Sequence, residues 1–130
     1  MAKRTAGTAL GPLEGRVMDV LWRTGPSTVA DVRVAVNSGA GEALAYSTVM
    51  TVLVRLHAKG FVGRSAEGRR YRYAAASDRS SFPELAGRIE LQRLIDRHGL
   101  DAVAGFAADL SGADGQLVRR LRALADEETA

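Results

Sequence analysis

The apolar residues of this chain change their spacing at Gly60, and this change limits the possible folds more than any other feature. Before Gly60 they recur every three or four positions, which is the period of amphipathic helices. After it, the pattern shifts to the alternation that is typical of strands. At 130 residues the chain is also too short for a catalytic barrel or a doubly wound nucleotide fold, which take about 200 residues or more. We therefore expect a mainly α protein with a small β-hairpin.

Three helices are predicted before the hairpin. The first starts at Pro12, a residue favoured in the first helical turn, and ends before Gly25. The second follows Thr28, which together with an acid three residues later resembles a capping box, and ends near Asn37. The third covers about Tyr46 to Lys59. Two short connections thus place three helices within the first 60 residues.

The third helix has two chemically different faces. With residues placed about 100° apart, one arc is apolar and consists of Val49, Val52, Leu53 and Leu56. The opposite arc carries short hydroxyl side chains and one arginine but no acid, whereas ordinary exposed helix faces favour Glu, Lys and Gln. Short side chains let a helix lie deep in the DNA major groove, where hydroxyls and arginine bind bases or phosphates. The alternative is that the threonines only bond their own helix. The predicted DNA-binding residues here are Ser47, Thr48, Met50, Thr51 and Arg55.

The hairpin is predicted from residues 61–65 and 69–73, with a turn that contains Gly68. In its second strand Tyr71 and Tyr73 point one way and are expected to cover the helices, while the arginines between them point the other way. Three helices followed by a basic hairpin are the order of a winged helix-turn-helix, in which the hairpin, or wing, lies along the DNA backbone. The predicted DNA-binding residues of the wing are Arg64, Arg69, Arg70 and Arg72.

The positive charge is concentrated in the first part of the chain. The net charge is +3, but residues 1–78 carry eleven Lys and Arg against six Asp and Glu, and residues 79–130 carry seven against nine. Within residues 55–72, Glu67 is the one acid among six cations, which include Lys59. Such a local basic patch favours binding to a polyanion. A solvated surface without a partner is the alternative.

The C-terminal part is predicted to be helical and to form dimers. One helix starts after Ser80-Ser81 and ends at His98-Gly99, and its apolar stripe changes face halfway along. About 50 residues make a poor independent core, so their leucines need a cover. We expect homodimerisation, with packing on the winged domain as the alternative. The predicted division is a flexible tail at 1–10, a winged helix-turn-helix domain at 11–78 and a helical dimerisation region at 79–130. The predicted dimerisation residues are Leu85, Ile89, Leu91, Leu94, Ile95, Leu100, Val103, Phe106, Leu110, Leu117, Leu121 and Leu124.

Motifs of enzymes are missing from the sequence. The two histidines, His57 and His98, stand in no metal-binding spacing, and no serine stands in a nucleophile turn. The absence of cysteine excludes disulfides and thiolate metal sites. No segment approaches the roughly 18 apolar residues of a membrane span. We therefore expect a cytoplasmic protein that is not an enzyme, binds no metal or cofactor and does not insert into a membrane.

The segment LAYSTVMTVLVRLHAKGFV, followed by GRRYRYA, resembles the penicillinase repressor (BlaI/MecI) family of bacterial transcriptional regulators, and LGPLEGRVMDVLW resembles its first helix. The resemblance is strong over residues 10–75 and weaker after residue 79. It implies a dimeric winged helix-turn-helix repressor that binds a palindromic operator and controls β-lactamase or cell-envelope-type genes. The residues at characteristic family positions are Thr48, Thr51, Arg55, Leu56 and Lys59.

The resemblance also implies a mode of release. In staphylococcal members, a protease linked to a membrane antibiotic sensor cuts an Asn-Phe bond in the dimer arm. The matching bond here is Gly105-Phe106, with Gly in place of Asn, and the implied partner is a membrane sensor-linked metalloprotease. Copper-responsive relatives use a C-terminal cysteine cluster, and the lack of cysteine excludes that switch in this chain.

Two other functions remain open on the sequence. The winged fold could be a protein-interaction module whose basic wing binds an acidic partner, although the acid-free face of the third helix counts against it. A repressor released by a small ligand would bind DNA in the same way and differ only in its inducer.

Overall fold

The computed structural model describes residues 10–112, 119 and 123. Three of the predicted dimerisation residues, Leu117, Leu121 and Leu124, lie outside the described residues, as does the side chain of Leu110. The protein is mainly helical with a small antiparallel sheet, as predicted. Its elements are α1 (Pro12–Thr24), β1 (Ser27–Thr28), α2 (Val29–Asn37), α3 (Tyr46–Lys59), β2 (Val62–Glu67), β3 (Arg70–Ala75), α4 (Phe82–His98) and α5 (Leu100–Gly112).

A capping box explains where α2 begins, and a glycine explains where α3 ends. At the start of α2, the Asp31 N–H donates to the Thr28 hydroxyl and the Thr28 N–H donates to the Asp31 carboxylate, both at 3.2 Å. This confirms the predicted capping box and lowers the pKa of Asp31. Helix α3 ends where Gly60 adopts a φ of 87°, a left-handed conformation that glycine tolerates best.

The sheet contains three strands in the order β1-β3-β2, all antiparallel. The hairpin register pairs Val62 with Ala75 and Glu67 with Arg70, so the strands are longer and the turn tighter than predicted. The added strand β1 pairs Ser27 with Tyr73. Sequence patterns missed β1 because two residues are too few to show an alternation.

The core lies between the first three helices and the sheet. Helix α1 contributes Val17, Met18 and Leu21, which are nearly inaccessible to solvent. Phe82, at the start of α4, closes one side of this core. Its ring lies edge-on to Trp22 and Phe61, with centroid distances of 5.5 and 5.0 Å. Leu10, which was assigned to the flexible tail, is only 7% exposed.

The chain separates into two compact units, with the division inside α4. The first unit extends to Gly87 and the second begins at Arg88. The predicted division, after residue 78, comes earlier than this one because Phe82 belongs to the core of the first unit. In α4 the change of apolar face falls near the same point: Phe82 is buried, whereas Leu91 and Leu94 are exposed.

Candidate nucleic-acid interface

The two predicted arcs of α3 differ in burial, one facing the core and the other facing solvent. Val49, Val52, Leu53 and Leu56 are buried. On the opposite side Ser47, Met50, Thr51 and Arg55 are exposed and Thr48 is half-buried. Across the described residues, the hydroxyls of Ser47, Thr48 and Thr51 take part in no hydrogen bond. These threonines therefore do not back-bond their own helix, and their hydroxyls are available to a ligand.

The loop before α3 is held by two polar side chains whose role sequence reasoning missed. The amide of Asn37 donates to the Leu44 carbonyl at 3.0 Å and accepts from the Leu44 N–H at 2.7 Å. Arg16 on α1 donates to the Glu42 carbonyl at 2.9 Å. Asn37 had been interpreted only as a helix end, although an asparagine at that place can take over backbone hydrogen bonds. Together the two residues fix the position from which α3 starts.

A partly buried ion pair fixes the other end of α3 to α1. The ammonium of Lys59 lies 2.9 and 2.8 Å from the two carboxylate oxygens of Glu14, which is buried. Burial raises the pKa of Glu14, but the hydrogen bonds from Lys59 and from the Gly11 N–H outweigh it, and the net pKa is lowered. Lys59 is thus committed within the protein. It adds less to the predicted basic patch than its charge suggested.

The two tyrosines of the wing have different surroundings. Tyr73 is 2% exposed and packs into the core, as expected, whereas Tyr71 is 44% exposed. The expectation that both cover the helices is wrong for Tyr71, because it lies two residues nearer the hairpin tip, opposite Ala66. The guanidinium of Arg64 instead lies over the Tyr71 ring in a cation–π contact, with its central carbon 4.2 Å from the ring centroid. Arg64 is thereby held on the surface of the wing.

Glu67 contacts two of the four wing arginines. Its carboxylate accepts hydrogen bonds from Arg72 Nε at 2.5 Å and Nη2 at 3.1 Å, and it lies 3.8 Å from Arg70 Nη2. The remaining Arg72 nitrogen, Nη1, donates to the Pro26 carbonyl at 3.2 Å. The hydrogen bond from Arg72 lowers the pKa of Glu67, which stays ionised at neutral pH. All three side-chain nitrogens of Arg72 thus have partners within the protein.

Most of the predicted dimerisation residues are accessible. Leu91, Leu94, Leu100 and Phe106 are exposed, and Leu85, Ile89, Ile95 and Val103 are half-buried. Gly105, before the proposed scissile bond, is also exposed within α5. Isolated exposed leucines are common on protein surfaces, but several on two successive helices are typical of an interaction surface.

Two other kinds of site were expected to be absent. Among residues 10–112, 119 and 123, no three side chains of His, Asp or Glu lie close enough to hold a metal ion. None of the helices in those ranges is long and apolar enough to cross a membrane.

The sequence of the chain matches known transcriptional regulators. The family model described as penicillinase repressor matches residues 10–127. The protein named transcriptional regulator BlaI from Mycobacterium tuberculosis is 49% identical over 124 residues, which covers 93% of this chain and 86% of that protein. The same protein from a second strain of that species matches equally well.

Solved structures support the fold. A MarR family protein from Bacillus stearothermophilus aligns with a TM-score of 0.50 at 19% identity, over 98% of this chain and 81% of the other. Wild-type MarR from E. coli in its apo form aligns with a TM-score of 0.50 at 14% identity, over 84% and 82%. At such low identity these similarities concern the winged-helix fold alone.

Proposed function

Since the chain belongs to the penicillinase repressor family, and is therefore a transcriptional regulator rather than an enzyme, we propose that it represses genes by binding a two-fold symmetric operator as a homodimer. The observation that carries this proposal is the exposed face of α3. Its three hydroxyls make no hydrogen bond within the described residues, it includes Arg55, and it holds no acid. Such a face is suited to base edges and phosphates.

On DNA, α3 enters the major groove and the wing lies on the adjacent backbone. Thr48, Thr51 and Ser47 are short enough for the helix backbone to approach the base pairs closely. Met50 offers an apolar contact to thymine methyl groups, and Arg55 reaches a guanine edge or a phosphate. On the wing, Arg64, Arg69, Arg70 and Arg72 supply sequence-independent phosphate contacts.

Dimerisation through α4 and α5 accounts for their exposed leucines. Each operator half-site contacts one subunit, and linkage of two weak contacts raises the overall affinity well above that of either alone. A two-fold operator follows from the two-fold symmetry of such a dimer. The region is therefore also where an inducing signal has the greatest effect, because a broken dimer loses most of its DNA binding.

For the inducing signal we propose proteolysis. A membrane sensor-linked metalloprotease cuts the Gly105-Phe106 bond of the repressor, which acts in the bacterial cytoplasm. The regulated genes are of the β-lactamase or cell-envelope type. Support comes from family membership and from exposure, since Phe106 is 59% exposed and Gly105 is exposed as well. Both residues lie within α5, so the helix must open locally before the bond fits a protease cleft.

Proteolytic release predicts a specific cleavage product. Incubation with the sensor-linked protease should produce fragments that end at Gly105 and begin at Phe106, as read by mass spectrometry, together with loss of the DNA complex. Phe106→Asp should resist cleavage, while Leu100→Asp, also at an exposed apolar residue of α5, should be cut normally. Loss of the complex without any shorter fragment would point to release by a ligand instead.

DNA binding itself is tested with the region upstream of the protein's own gene. A labelled duplex from that region is titrated with protein at moderate salt against an excess of unrelated DNA. We expect a discrete complex that a gel shift detects. The absence of any discrete complex would favour the protein-interaction module.

A further inference from the structure

Glu67 occupies an unusual place for an acid in a surface that binds DNA. It is the one carboxylate between residues 43 and 77 of the sequence, and it stands at the tip of the wing. Its two oxygens bond Arg72 and approach Arg70 within 3.8 Å. The Asp31 carboxylate also acts electrostatically on both of these arginines. Two of the four wing arginines thus already have a carboxylate partner before any DNA is bound.

An arginine that is paired within the protein gains less from a phosphate. Formation of the phosphate contact requires that the existing carboxylate contact be loosened, so one charged contact is exchanged for another. The carboxylate moreover remains close to the phosphates once the wing has docked, and it cancels part of the positive charge that docking brings to the DNA. Fewer condensed cations are then released per wing arginine than its formal charge predicts.

We propose that Glu67 is a built-in competitor of the DNA backbone: it holds Arg70 and Arg72 in the absence of DNA and limits the sequence-independent part of DNA binding. This inference rests on the proposed function. Because phosphate contacts are the same on every sequence, Glu67 limits the affinity for operator and unrelated DNA by a similar factor.

The test compares Glu67→Gln with wild type on two duplexes, one from the protein's upstream region and one of unrelated sequence, by fluorescence anisotropy over a salt series. The variant should bind both about threefold to tenfold more tightly, as expected for release of exposed ion pairs in two wings. The slope of log affinity against log salt should become steeper by about 1–2 per dimer. The matched control is Glu90→Gln, which makes the same charge change at an exposed acid 3.6 Å from Arg93 on α4 and should shift affinity less than twofold.

A second background separates competition from simple repulsion. In a protein that carries Arg70→Gln and Arg72→Gln, the competition model expects Glu67→Gln to change affinity less than twofold. The same gain in that background as in wild type would mean that Glu67 only repels phosphates, which overturns the proposal. Weaker binding by Glu67→Gln alone would also overturn it, since Glu67 would then serve to hold the wing in shape.

Failure of the Glu67 proposal can be told apart from failure of the proposed operator binding. If wild-type protein did not prefer its upstream region to unrelated DNA, the proposed operator binding would fail. The effect of Glu67→Gln on the unrelated duplex would still decide the role of Glu67.

Discussion

At the scale of single residues, α3 and the wing differ in what they offer to DNA. The hydroxyls on the exposed face of α3 make no hydrogen bond within the described residues, whereas Arg72 on the wing is already bonded to Glu67. The two arcs of α3 follow from helical geometry, so Val49 and Thr51 could be assigned to opposite faces without a structure. In contrast, the hydrogen bonds from Arg72 to Glu67 and to the Pro26 carbonyl were not predicted. Charge counts along a sequence do not show which charges neutralise each other in space. The positive charge that the basic patch offers to DNA is therefore smaller than the count of its lysines and arginines suggested.

Two substitutions on α3 test whether its exposed face is the reading face, that is, the surface that contacts the base edges. Thr51→Ala and Arg55→Ala should each weaken binding to the upstream duplex by about fivefold to a hundredfold, the range of one good base contact, without changing the oligomeric state. Binding to unrelated DNA should change much less if the residue contacts a base edge. The measurement is anisotropy on both duplexes.

Arg93→Ala on α4 is the control for Arg55→Ala, because it removes the same charge from an exposed arginine that is not among the predicted DNA-binding residues. A Thr51→Ala protein that bound the upstream duplex like wild type would show that the exposed face of α3 is not the reading face.

At the scale of elements, local patterns predicted the helices, and long-range contacts decided the rest. Helices α1 to α3 have nearly the predicted bounds because periodicity and capping residues are local signals. Strand β1 and the Glu14–Lys59 pair were missed. The strand exists because its two residues pair with β3, and the ion pair joins residues 45 positions apart. No pattern within one segment reveals either contact.

The pairing of α1 with α3 predicts a pH-dependent stability. Because the folded-state pKa of Glu14 is lowered from its ordinary value of 4.5, the ion pair stabilises the fold above that pH and loses its effect as pH falls through the lowered pKa. Glu14→Gln should reduce the free energy of unfolding at pH 7 by about 1–2 kcal/mol, a figure that allows for the partial exposure of Lys59.

Urea denaturation at pH 7 and at a series of acidic pH values measures this effect. The difference between wild type and Glu14→Gln should shrink steadily as the pH falls below 4.5. Asp19→Asn, which removes an exposed partner of Arg79, should cost less than about 0.5 kcal/mol at any pH. A difference for Glu14→Gln that stayed constant down to pH 2 would mean that packing, and not the ion pair, is responsible.

At the scale of the whole molecule, the two units carry separate tasks in the proposed repressor. The first unit has a closed core and displays α3 and the wing. The second unit leaves apolar side chains exposed on α4 and α5. A surface of that kind is costly in water unless a partner covers it. A second copy of the chain is the partner that the proposed two-fold operator requires.

The dimer is tested with two leucines of nearly equal exposure in different units. Leu94 on α4 is 37% exposed and Leu13 on α1 is 38% exposed. Leu94→Asp places a charge in the proposed interface and should yield a monomer at micromolar concentration by sedimentation, with at least a hundredfold loss of affinity for the full duplex. Affinity for a single half-site should be unchanged. Leu13→Asp should remain a dimer.

The salt dependence of DNA binding should report the change from dimer to monomer independently. If each subunit neutralises about four phosphates, log affinity should fall against log salt with a slope near −7 for the dimer and about half of that for the Leu94→Asp monomer. Two subunits that act through one linked complex must show the summed slope, because every phosphate contact releases its own counterions. A Leu94→Asp protein that sedimented as a dimer with the full slope would place the interface elsewhere and would remove the physical basis for release by cutting α5.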